Sequence, residues 1–162
     1  MRWRAMALGD LDGVAAVART AFPDHPEGRA CFEERLTLAP DSCFVLEGEG
    51  GVVGYLIAYP WPLEAIPPLD TLLGSLPESR ASWYLHDLAL LREARGGGNA
   101  RAGLALLFAK LDAPIALVSV NESAAFWQAQ GFVPQDSPAL KAKLSSYGPG
   151  ARYMVRGVTK PG

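Results

Sequence analysis

The sequence contains few of the residues that build disulfide frameworks or metal sites. It has two cysteines, Cys31 and Cys43, and they form no CxxC motif. Two such thiols are more typical of small core residues in a reducing compartment than of a disulfide, although a single bridge remains the alternative. The two histidines, His25 and His86, are far apart in the chain, so we expect no metal site.

Long apolar runs and an excess of one charge are also absent from the sequence. The 15 basic and 17 acidic residues leave a formal net charge of -2, which gives no basic surplus for nucleic acid. No apolar segment approaches the roughly 20 residues that span a bilayer, and the N-terminus becomes acidic before any apolar run forms. We therefore expect a cytoplasmic protein that binds neither nucleic acid nor membrane.

Apolar residues, by contrast, are plentiful, and they make up 49% of the 162 residues. A chain of this length and composition folds around a sizeable core. No internal repeat and no domain boundary is visible, so we predict a single domain over residues 1–162. We expect this domain to exist as a monomer or a homodimer.

The most informative stretch is Trp83–Leu111, WYLHDLALLREARGGGNARAGLALLFAKL. It predicts a strand over Trp83–Leu90, a glycine-rich loop, and a helix from about Gly98 with one apolar stripe. Glycines let backbone amides approach a ligand closely, and the free amides at a helix start attract anions. With Arg95 and Arg101 on either side, the loop predicts a phosphate or pyrophosphate site.

The loop does not follow the Walker pattern GxxxxGK[ST] or the dinucleotide pattern GxGxxG. Its own pattern is Arg95-x-x-Gly98-x-Ala100, directly after a strand and at the start of an amphipathic helix. This arrangement resembles the acyl-CoA pyrophosphate loop of the GNAT superfamily of N-acyltransferases. The alternative is a glycine-rich turn between a strand and a helix that binds no ligand.

A second segment, Asn121–Gly131 followed by Phe132, is similar to the other GNAT signature, N-x-x-A-x(3)-Y-x(3)-G-F. Asn121 lies ten residues before Gly131 instead of the usual eleven, so the helix is one residue short at its start. Trp127 stands where the family often has tyrosine. The resemblance extends from about Arg2 to Val158 and points to a bacterial-type member of unknown substrate.

The resemblance implies an α+β GNAT fold: a central twisted, mostly antiparallel sheet of about six to seven strands flanked by helices. The central strands are expected to splay and admit acyl-CoA. We predict further strands over Arg2–Ala7, Ser42–Glu47, Val52–Trp61, Ile115–Val120, from Phe132, and over Ala151–Val158. We predict further helices after an Asp10 N-cap to Ala21, over Glu27–Leu38, within Asn121–Gly131, and over Ser137–Ser146.

One long segment between predicted strands, Pro62–Ala81, contains four prolines and shows no clean periodicity. We expect it to be irregular over most of its length, with one helical turn over Asp70–Leu76. Its apolar content predicts that it packs onto the protein, either as a wall of the acceptor pocket or as a cover over a sheet edge.

The function that the resemblance implies is acetyl-CoA-dependent N-acetyl transfer to a primary amine of a small molecule or peptide, by direct attack and without a metal. Its cosubstrate, acetyl-CoA, is expected to be held by the backbone of one strand end, by the loop, and by two residues of the second signature. These residues are Leu88, Ala89, Leu90, Arg95, Gly96, Gly97, Gly98, Asn99, Ala100, Arg101, Asn121 and Trp127.

His86 is the central residue whose pKa suits the removal of a proton from an acceptor ammonium. It lies three residues before Ala89, where some polyamine acetyltransferases of the resembling family carry a catalytic glutamate. Strand alternation predicts that His86 and Asp87 point to opposite faces unless a bulge intervenes. The alternative role for His86 is a half-buried side chain bonded to backbone.

Protonation of the leaving thiolate is the other catalytic step. The indole N–H of Trp127, at the usual tyrosine position, is no practical acid. Tyr147, Ser123 and Tyr153 are substitutes, and Tyr147 is the preferred candidate because its turn is polar. A thiol with a pKa of about 8.5 also leaves tolerably without a proton.

Two other classes of protein stay open at this point. One is a catalytically silent acyl-CoA-binding module of the same fold, in which the missing tyrosine reflects the loss of catalysis. The other is a nucleotide-binding or hydride-transfer protein, for which the GxGxxG loop and a downstream acidic ribose ligand are missing.

Overall fold

The computed structural model describes residues 1–24, 27–120 and 122–157. Its strands are β1 (Arg2–Ala5), β2 (Cys43–Gly48), β3 (Gly51–Pro60), β4 (Trp83–Leu90), β5 (Ile115–Ser119), β6 (Val133–Gln135) and β7 (Arg152–Arg156). Its α-helices are α1 (Leu11–Ala21), α2 (Arg29–Leu38), α3 (Asn99–Lys110), α4 (Ala124–Ala129) and α5 (Pro138–Leu144). None of the helices in these ranges has the length and apolarity needed to cross a membrane.

The strands form one seven-stranded sheet in the order β1-β2-β3-β4-β5-β7-β6. The pairs β1/β2, β2/β3, β5/β7 and β6/β7 are antiparallel, while β4 and β5 run parallel. The register of the parallel pair joins Trp83 to Ile115 and Tyr84 to Ala116. The result is a mixed open sheet flanked by helices, which confirms the predicted α+β class.

The chain divides into two compact units. The first comprises Met1–Tyr59, Pro67–Leu76 and His86–Leu111, and the second comprises Pro60–Ile66, Pro77–Leu85 and Asp112–Gly162. The first unit contains both the glycine loop and His86, and the second contains Trp127 and Tyr147. The single domain over residues 1–162 stays a prediction.

The core of the first unit forms where helical and strand periodicities bury apolar faces. Helix α1 buries Leu11, Val14, Ala15, Val17 and Ala18, which lie on the face that its spacing predicts. Helix α2 buries Cys31, Phe32 and Leu36, and with them the charged Arg35. The rings of Phe32 and Tyr55 meet edge to face, with centroids 5.5 Å apart. Both cysteines are buried free thiols.

The predicted start of α1 was confirmed, while the predicted start of α2 was wrong in detail. Helix α2 begins at Arg29 and not near Glu27, because Gly28 is extended (φ -78°, ψ 161°) and its N–H donates to Asp70 Oδ1 at 3.0 Å. Asp10 is the N-cap residue of α1, as predicted, but its side chain makes no capping hydrogen bond to that helix. Its carboxylate accepts from the N–H of Ala7 at 2.8 Å and so caps the short 3-10 turn that precedes the helix.

The predicted helical turn at Asp70–Leu76 was also wrong, since this segment contains no helix. Asp70 has a left-handed φ of 48°. The N–H groups of Leu73 and Gly74 donate to the carboxylate of Glu34 at 2.6 and 3.0 Å. Side-chain acceptors from another segment therefore take the donors that a helix would use for itself.

A close contact fixes the start of α3 and leads to a first prediction. An added Cβ on Gly103 would lie 2.7 Å from Cζ2 of Trp3, whose Nε1 donates to the carbonyl of Asn99 at 2.8 Å. Overpacking of this kind costs about 1–3 kcal/mol, more than the gain of up to about 1 kcal/mol from replacing a helical glycine. We expect Gly103→Ala to lower the free energy of unfolding in urea.

The matched control is Gly9→Ala, because nothing lies within 4 Å of the Cβ it would add. We expect this variant to keep the unfolding free energy of the wild-type chain. An increase in the stability of Gly103→Ala would show that Trp3 moves aside freely and does not anchor α3.

Candidate active site

The candidate site centres on His86, whose side chain lies on β4 and is 3% exposed. Its Nε2 is hydrogen-bonded to Oε1 of Glu27, a residue of the extended segment before α2. Its Nδ1 lies 3.0 Å from the hydroxyl of Tyr59, near the end of β3. Both ring nitrogens therefore have side-chain partners.

Asp87, the next residue along β4, belongs to the same network. Its Oδ2 accepts a hydrogen bond of 2.9 Å from the hydroxyl of Tyr55. Tyr55 and Tyr59 are four residues apart on β3 and so share one face of that strand. The ligand atoms of Glu27, His86 and Asp87 all lie within 4.8 Å of one another.

His86 and Asp87 depart from the alternation that places neighbouring residues on opposite faces in the absence of a bulge. Both side chains reach hydroxyl groups on the same face of β3, so strict two-residue alternation does not hold at this step of β4. The consequence is a compact group of acid–base side chains.

A buried cation, Arg35 of α2, balances the charge of this group. Its guanidinium is fully buried and lies 3.6 Å from Oε2 of Glu27, and it stands over the ring of Tyr59 at 6.0 Å. Its NH1 and NH2 groups donate to the carbonyls of Cys31 and Thr71 at 3.1 and 3.2 Å. A buried carboxylate needs such a partner to remain ionised.

The electrostatic effects on Glu27 and His86 support one another. Burial alone favours the neutral carboxyl of Glu27, but its hydrogen bond to His86 and the nearby charge of Arg35 hold its pKa below the ordinary value. Burial alone also favours the neutral imidazole, but the charge of Asp87 and the bond to Glu27 raise the pKa of His86 above the ordinary value. His86 is therefore a stronger base than a free histidine.

The donor types of Glu27, His86 and Asp87 are those that bind divalent metals. The positive charge of Arg35 at 3.6 Å from Glu27 already compensates the carboxylate, and the facing oxygen and nitrogen of Glu27 and His86 are bonded to each other. As these side chains are arranged, the set is a hydrogen-bonded acid–base network.

The pKa of Asp87 gives a prediction for stability. Burial raises this pKa from 3.8 to about 6. Because the folded value lies above the unfolded one, the contribution to stability is present below the unfolded pKa and is lost as the pH rises through about 6. Asp87→Asn removes this titration and keeps an acceptor for Tyr55. We expect the variant to gain about 3 kcal/mol relative to the wild type between about pH 4 and about pH 7.

Urea denaturation at a series of pH values measures this difference. Asp24→Asn is the matched control, because water solvates the exposed carboxylate of Asp24 and its replacement is expected to change stability little. If the stability difference between Asp87→Asn and the wild type does not depend on pH, the pKa of Asp87 is not raised to about 6.

The glycine loop lies after β4, as predicted, and leads into α3 at Asn99. Gly96 and Gly98 have left-handed φ values of 82° and 80°, and nothing lies within 4 Å of a Cβ added to either. The residues from Arg95 to Gly98 are all exposed. Open space, glycine backbone and the N-terminal amides of a twelve-residue helix together fit an anionic phosphate group.

Two side chains of the loop are already used to hold its shape. Asn99 Nδ2 donates to the carbonyl of Ala94 at 2.9 Å, and Arg95 Nε donates to the carbonyl of Leu90 at 3.1 Å. Arg101 is exposed on the first turn of α3. The Leu90 carbonyl, which belongs to the predicted pantetheine-binding backbone, thus has an internal partner in Arg95.

The remaining predicted site residues lie in the second unit or outside the described ranges. Trp127 is 8% exposed and packs edge to face on Phe126 and Phe132, with centroids 4.9 and 5.5 Å away. Tyr147 is half-buried and ends a 3-10 turn. Asn121 lies outside the described residues. Cofactor binding by Trp127 and Asn121 and acid catalysis by Tyr147 stay predictions.

Two other candidate acids have internal partners. The hydroxyl of Ser123 donates to the carbonyl of Val120 at 2.7 Å. The hydroxyl of Tyr153, which is 1% exposed, accepts from the N–H of Glu64 at 2.7 Å.

Sequence reasoning missed four members of the network: Glu27, Arg35, Tyr55 and Tyr59. A signal existed for Arg35, which follows Cys31 by four residues and so falls on the buried face of α2. A weaker signal was the pair of hydroxyls four residues apart in an otherwise apolar strand. Nothing local distinguished Glu27 from an ordinary first-turn glutamate.

Comparisons with known proteins show the family to which the chain belongs. A family model described as the acetyltransferase (GNAT) family matches residues 11–132, and the chain belongs to that family. Similar solved structures include Ard1 from Thermoplasma volcanium, with 19% identity, 98% of each chain covered and a TM-score of 0.72. A comparison with curated proteins gave no match.

Two further solved structures widen the range of chemistry on this fold. The GphF GNAT-like decarboxylase in complex with isobutyryl-CoA is 21% identical, with 98% of this chain and 100% of that chain covered and a TM-score of 0.72. The NatC complex bound to Gag peptide and CoA is 15% identical, with 98% of each chain covered and a TM-score of 0.72. At these identities the likeness shows the fold alone.

Proposed function

We propose that the protein is an acetyl-CoA-dependent N-acetyltransferase that acts on the primary amine of a small molecule or peptide. The observation that carries this proposal is that two features lie together in one compact unit. An open glycine loop at a helix start follows a strand that holds a buried histidine bonded to a glutamate. A family match over residues 11–132 supports the same class of reaction.

The loop supplies the cosubstrate half of the reaction. Amides of Gly96 to Asn99 and the positive end of α3 are suited to the pyrophosphate of CoA, and Arg95 and Arg101 add positive charge. The strand backbone at Leu88, Ala89 and Leu90 offers amide partners for pantetheine, and one of its N–H groups is suited to polarise the thioester carbonyl. Acetyl-CoA contributes an activated acyl group, whose carbon–sulfur bond breaks as the amine forms the amide.

His86 supplies the base half of the reaction. The amine must lose a proton, and the imidazole takes it at Nδ1 while Glu27 stabilises the resulting cation through Nε2. Because the His86 side chain is 3% exposed, we infer that the proton arrives through a bridging water or through the hydroxyl of Tyr59. That hydroxyl lies 3.0 Å from Nδ1. In this route it donates its own proton to Nδ1 and receives the proton of the amine.

The burial of His86 favours a second candidate function. Both of its nitrogens are bonded inside the protein, and such a network also suits an acyl-CoA-binding module without catalysis. In that case the loop binds CoA while the network only stabilises the first unit.

An amine screen separates the two functions. The purified chain is mixed with acetyl-CoA and panels of polyamines, aminoglycosides, amino acids and peptides with free N-termini or lysines, and free thiol is measured. Thiol release that depends on an amine, with an acetylated product in the mass spectrum, supports the enzyme. A CoA-induced rise in melting temperature without turnover on any panel supports the binding module.

A further inference from the structure

The segment Asp70–Gly74, which we call the strap, is hydrogen-bonded to α2 through Glu34 and Arg35. Two of its N–H groups, from Leu73 and Gly74, donate to the Glu34 carboxylate at 2.6 and 3.0 Å. The carbonyl of Thr71 accepts from Arg35 at 3.2 Å. These bonds hold an irregular segment in place without a helix or strand of its own.

At its other end, Asp70, the strap exchanges two hydrogen bonds with Glu27 and Gly28, and we call this pair of bonds the clasp. The N–H of Asp70 donates to Oε2 of Glu27, and the N–H of Gly28 donates to Oδ1 of Asp70, both at 3.0 Å. Cys31 Sγ lies 3.6 Å from the same Oδ1. The two segments are more than forty residues apart in sequence, so tertiary packing alone brings them together.

The clasp matters because Glu27 has no regular backbone structure to hold it. Glu27 precedes the extended N-cap of α2, and rotation of a carboxylate about its terminal torsion is intrinsically broad. Oε1 faces His86 and Oε2 faces the N–H of Asp70. With both oxygens engaged, the carboxylate is held at the orientation that the imidazole needs.

We propose that the strap is a positioning device for the base: Asp70 orients the Glu27 carboxylate, and through it the His86 imidazole. Asp70 is a positioning residue that acts on His86 through Glu27. The catalytic meaning of this inference rests on the proposed acetyl transfer, while the orientation of His86 can be tested without any turnover.

The test compares Asp70→Asn with Asp70→Gly. Both remove the charge, and both tolerate the left-handed φ of 48° at this position. Only the asparagine keeps an oxygen that accepts from Gly28. The other groups facing His86 are unchanged in both variants: Glu27 before α2, Arg35 on α2, Tyr55 and Tyr59 on β3, and Asp87 on β4.

The measurement is the NMR titration of the histidine rings in the free protein. The chain contains two histidines, and His86→Gln assigns their signals. Loss of the clasp weakens the bond from His86 to Glu27, so we expect Asp70→Gly to lower the pKa of His86 by about half a unit or more relative to Asp70→Asn. The matched pair Glu122→Asn and Glu122→Gly, at another acidic residue with positive φ, is expected to show no such difference.

A second pair of variants covers the case in which Asp70→Gly does not fold. Glu34→Gln loosens the far end of the strap, and Glu33→Gln removes the neighbouring charge, which pairs only with the exposed Arg29 among its described ion pairs. We expect Glu34→Gln to lower the pKa of His86 and Glu33→Gln to leave it unchanged. Identical His86 titrations in Asp70→Asn and Asp70→Gly, or in Glu34→Gln and Glu33→Gln, would overturn the proposal.

Kinetics then connect the strap to catalysis. For an amine that the screen identifies, we expect Asp70→Gly to lower kcat about tenfold and to move its acidic limb to lower pH, with the KM for acetyl-CoA unchanged and Asp70→Asn close to wild type. An unchanged kcat profile together with a shifted NMR titration would contradict the catalytic part. Absence of turnover in the wild type would instead refute the proposed function and leave the NMR result to decide the orientation.

Discussion

Replacing His86 with alanine is expected to lower kcat for amine acetylation by about 10²- to 10⁴-fold, the usual contribution of a general base. The wild-type rate is expected to rise with pH through a pKa above that of a free histidine, because Asp87 and Glu27 favour the charged imidazole. Below that pKa the imidazole already holds a proton and cannot accept another. In His86→Ala this acidic limb disappears and the residual rate becomes flat over the same range.

Controls are needed because the variant removes the partner of Glu27 Oε1. Removing one member of a buried pair costs about 3–5 kcal/mol, so stability is measured alongside activity, and His86→Gln gives a milder second variant. His25→Ala, at the chain's other histidine, is the matched control and is expected to keep the wild-type rate. If His86→Ala keeps both kcat and its pH dependence, the base is another group.

Replacing Gly97 with aspartate is expected to weaken CoA binding about 100-fold. The carboxylate would stand among the loop amides, where a fixed negative charge repels pyrophosphate and competes for the same donors. Gly97 has no left-handed φ, and an added Cβ lies no closer than 3.8 Å to Asn99 Nδ2. The substitution therefore changes charge without straining the loop, and calorimetric titration with CoA measures the effect.

Gly50→Asp gives the matched control. Gly50 is also exposed, lies in the turn between β2 and β3, and has nothing within 4 Å of an added Cβ. The two variants change the net charge equally, so general repulsion of CoA cancels in their comparison. Equal affinities for CoA in Gly97→Asp and Gly50→Asp would show that the cosubstrate is held elsewhere.

The features predicted best from sequence were those with local causes. Strand β4 has the predicted bounds, Trp83–Leu90, and α1 ends at the predicted Ala21. Apolar periodicity and proline positions set these limits, and both act within a few residues. The left-handed φ values at Gly96 and Gly98 are conformations that glycine adopts without steric cost.

Predictions failed where a side chain from a distant segment competed with a local preference. The segment after Asp70 has helix-forming residues, yet its N–H groups bond to Glu34. Glu27 suits a helix start by composition, but its carboxylate is bonded to His86, 59 residues away. Propensity carries no information about such partners, because they become neighbours only when the sheet and α2 pack.

The sequence by itself thus determined the class of protein and the position of the glycine loop. The strand, the loop and the start of the helix follow one another directly in the chain. The backbone conformation of the loop depends on its glycines, and the unpaired amides belong to a single helix. Only the tertiary structure decided the surroundings of His86. Its pKa depends on the charges of Glu27, Asp87 and Arg35. These groups come within a few ångströms of the imidazole, and lose contact with water, only when separate segments of the chain pack together.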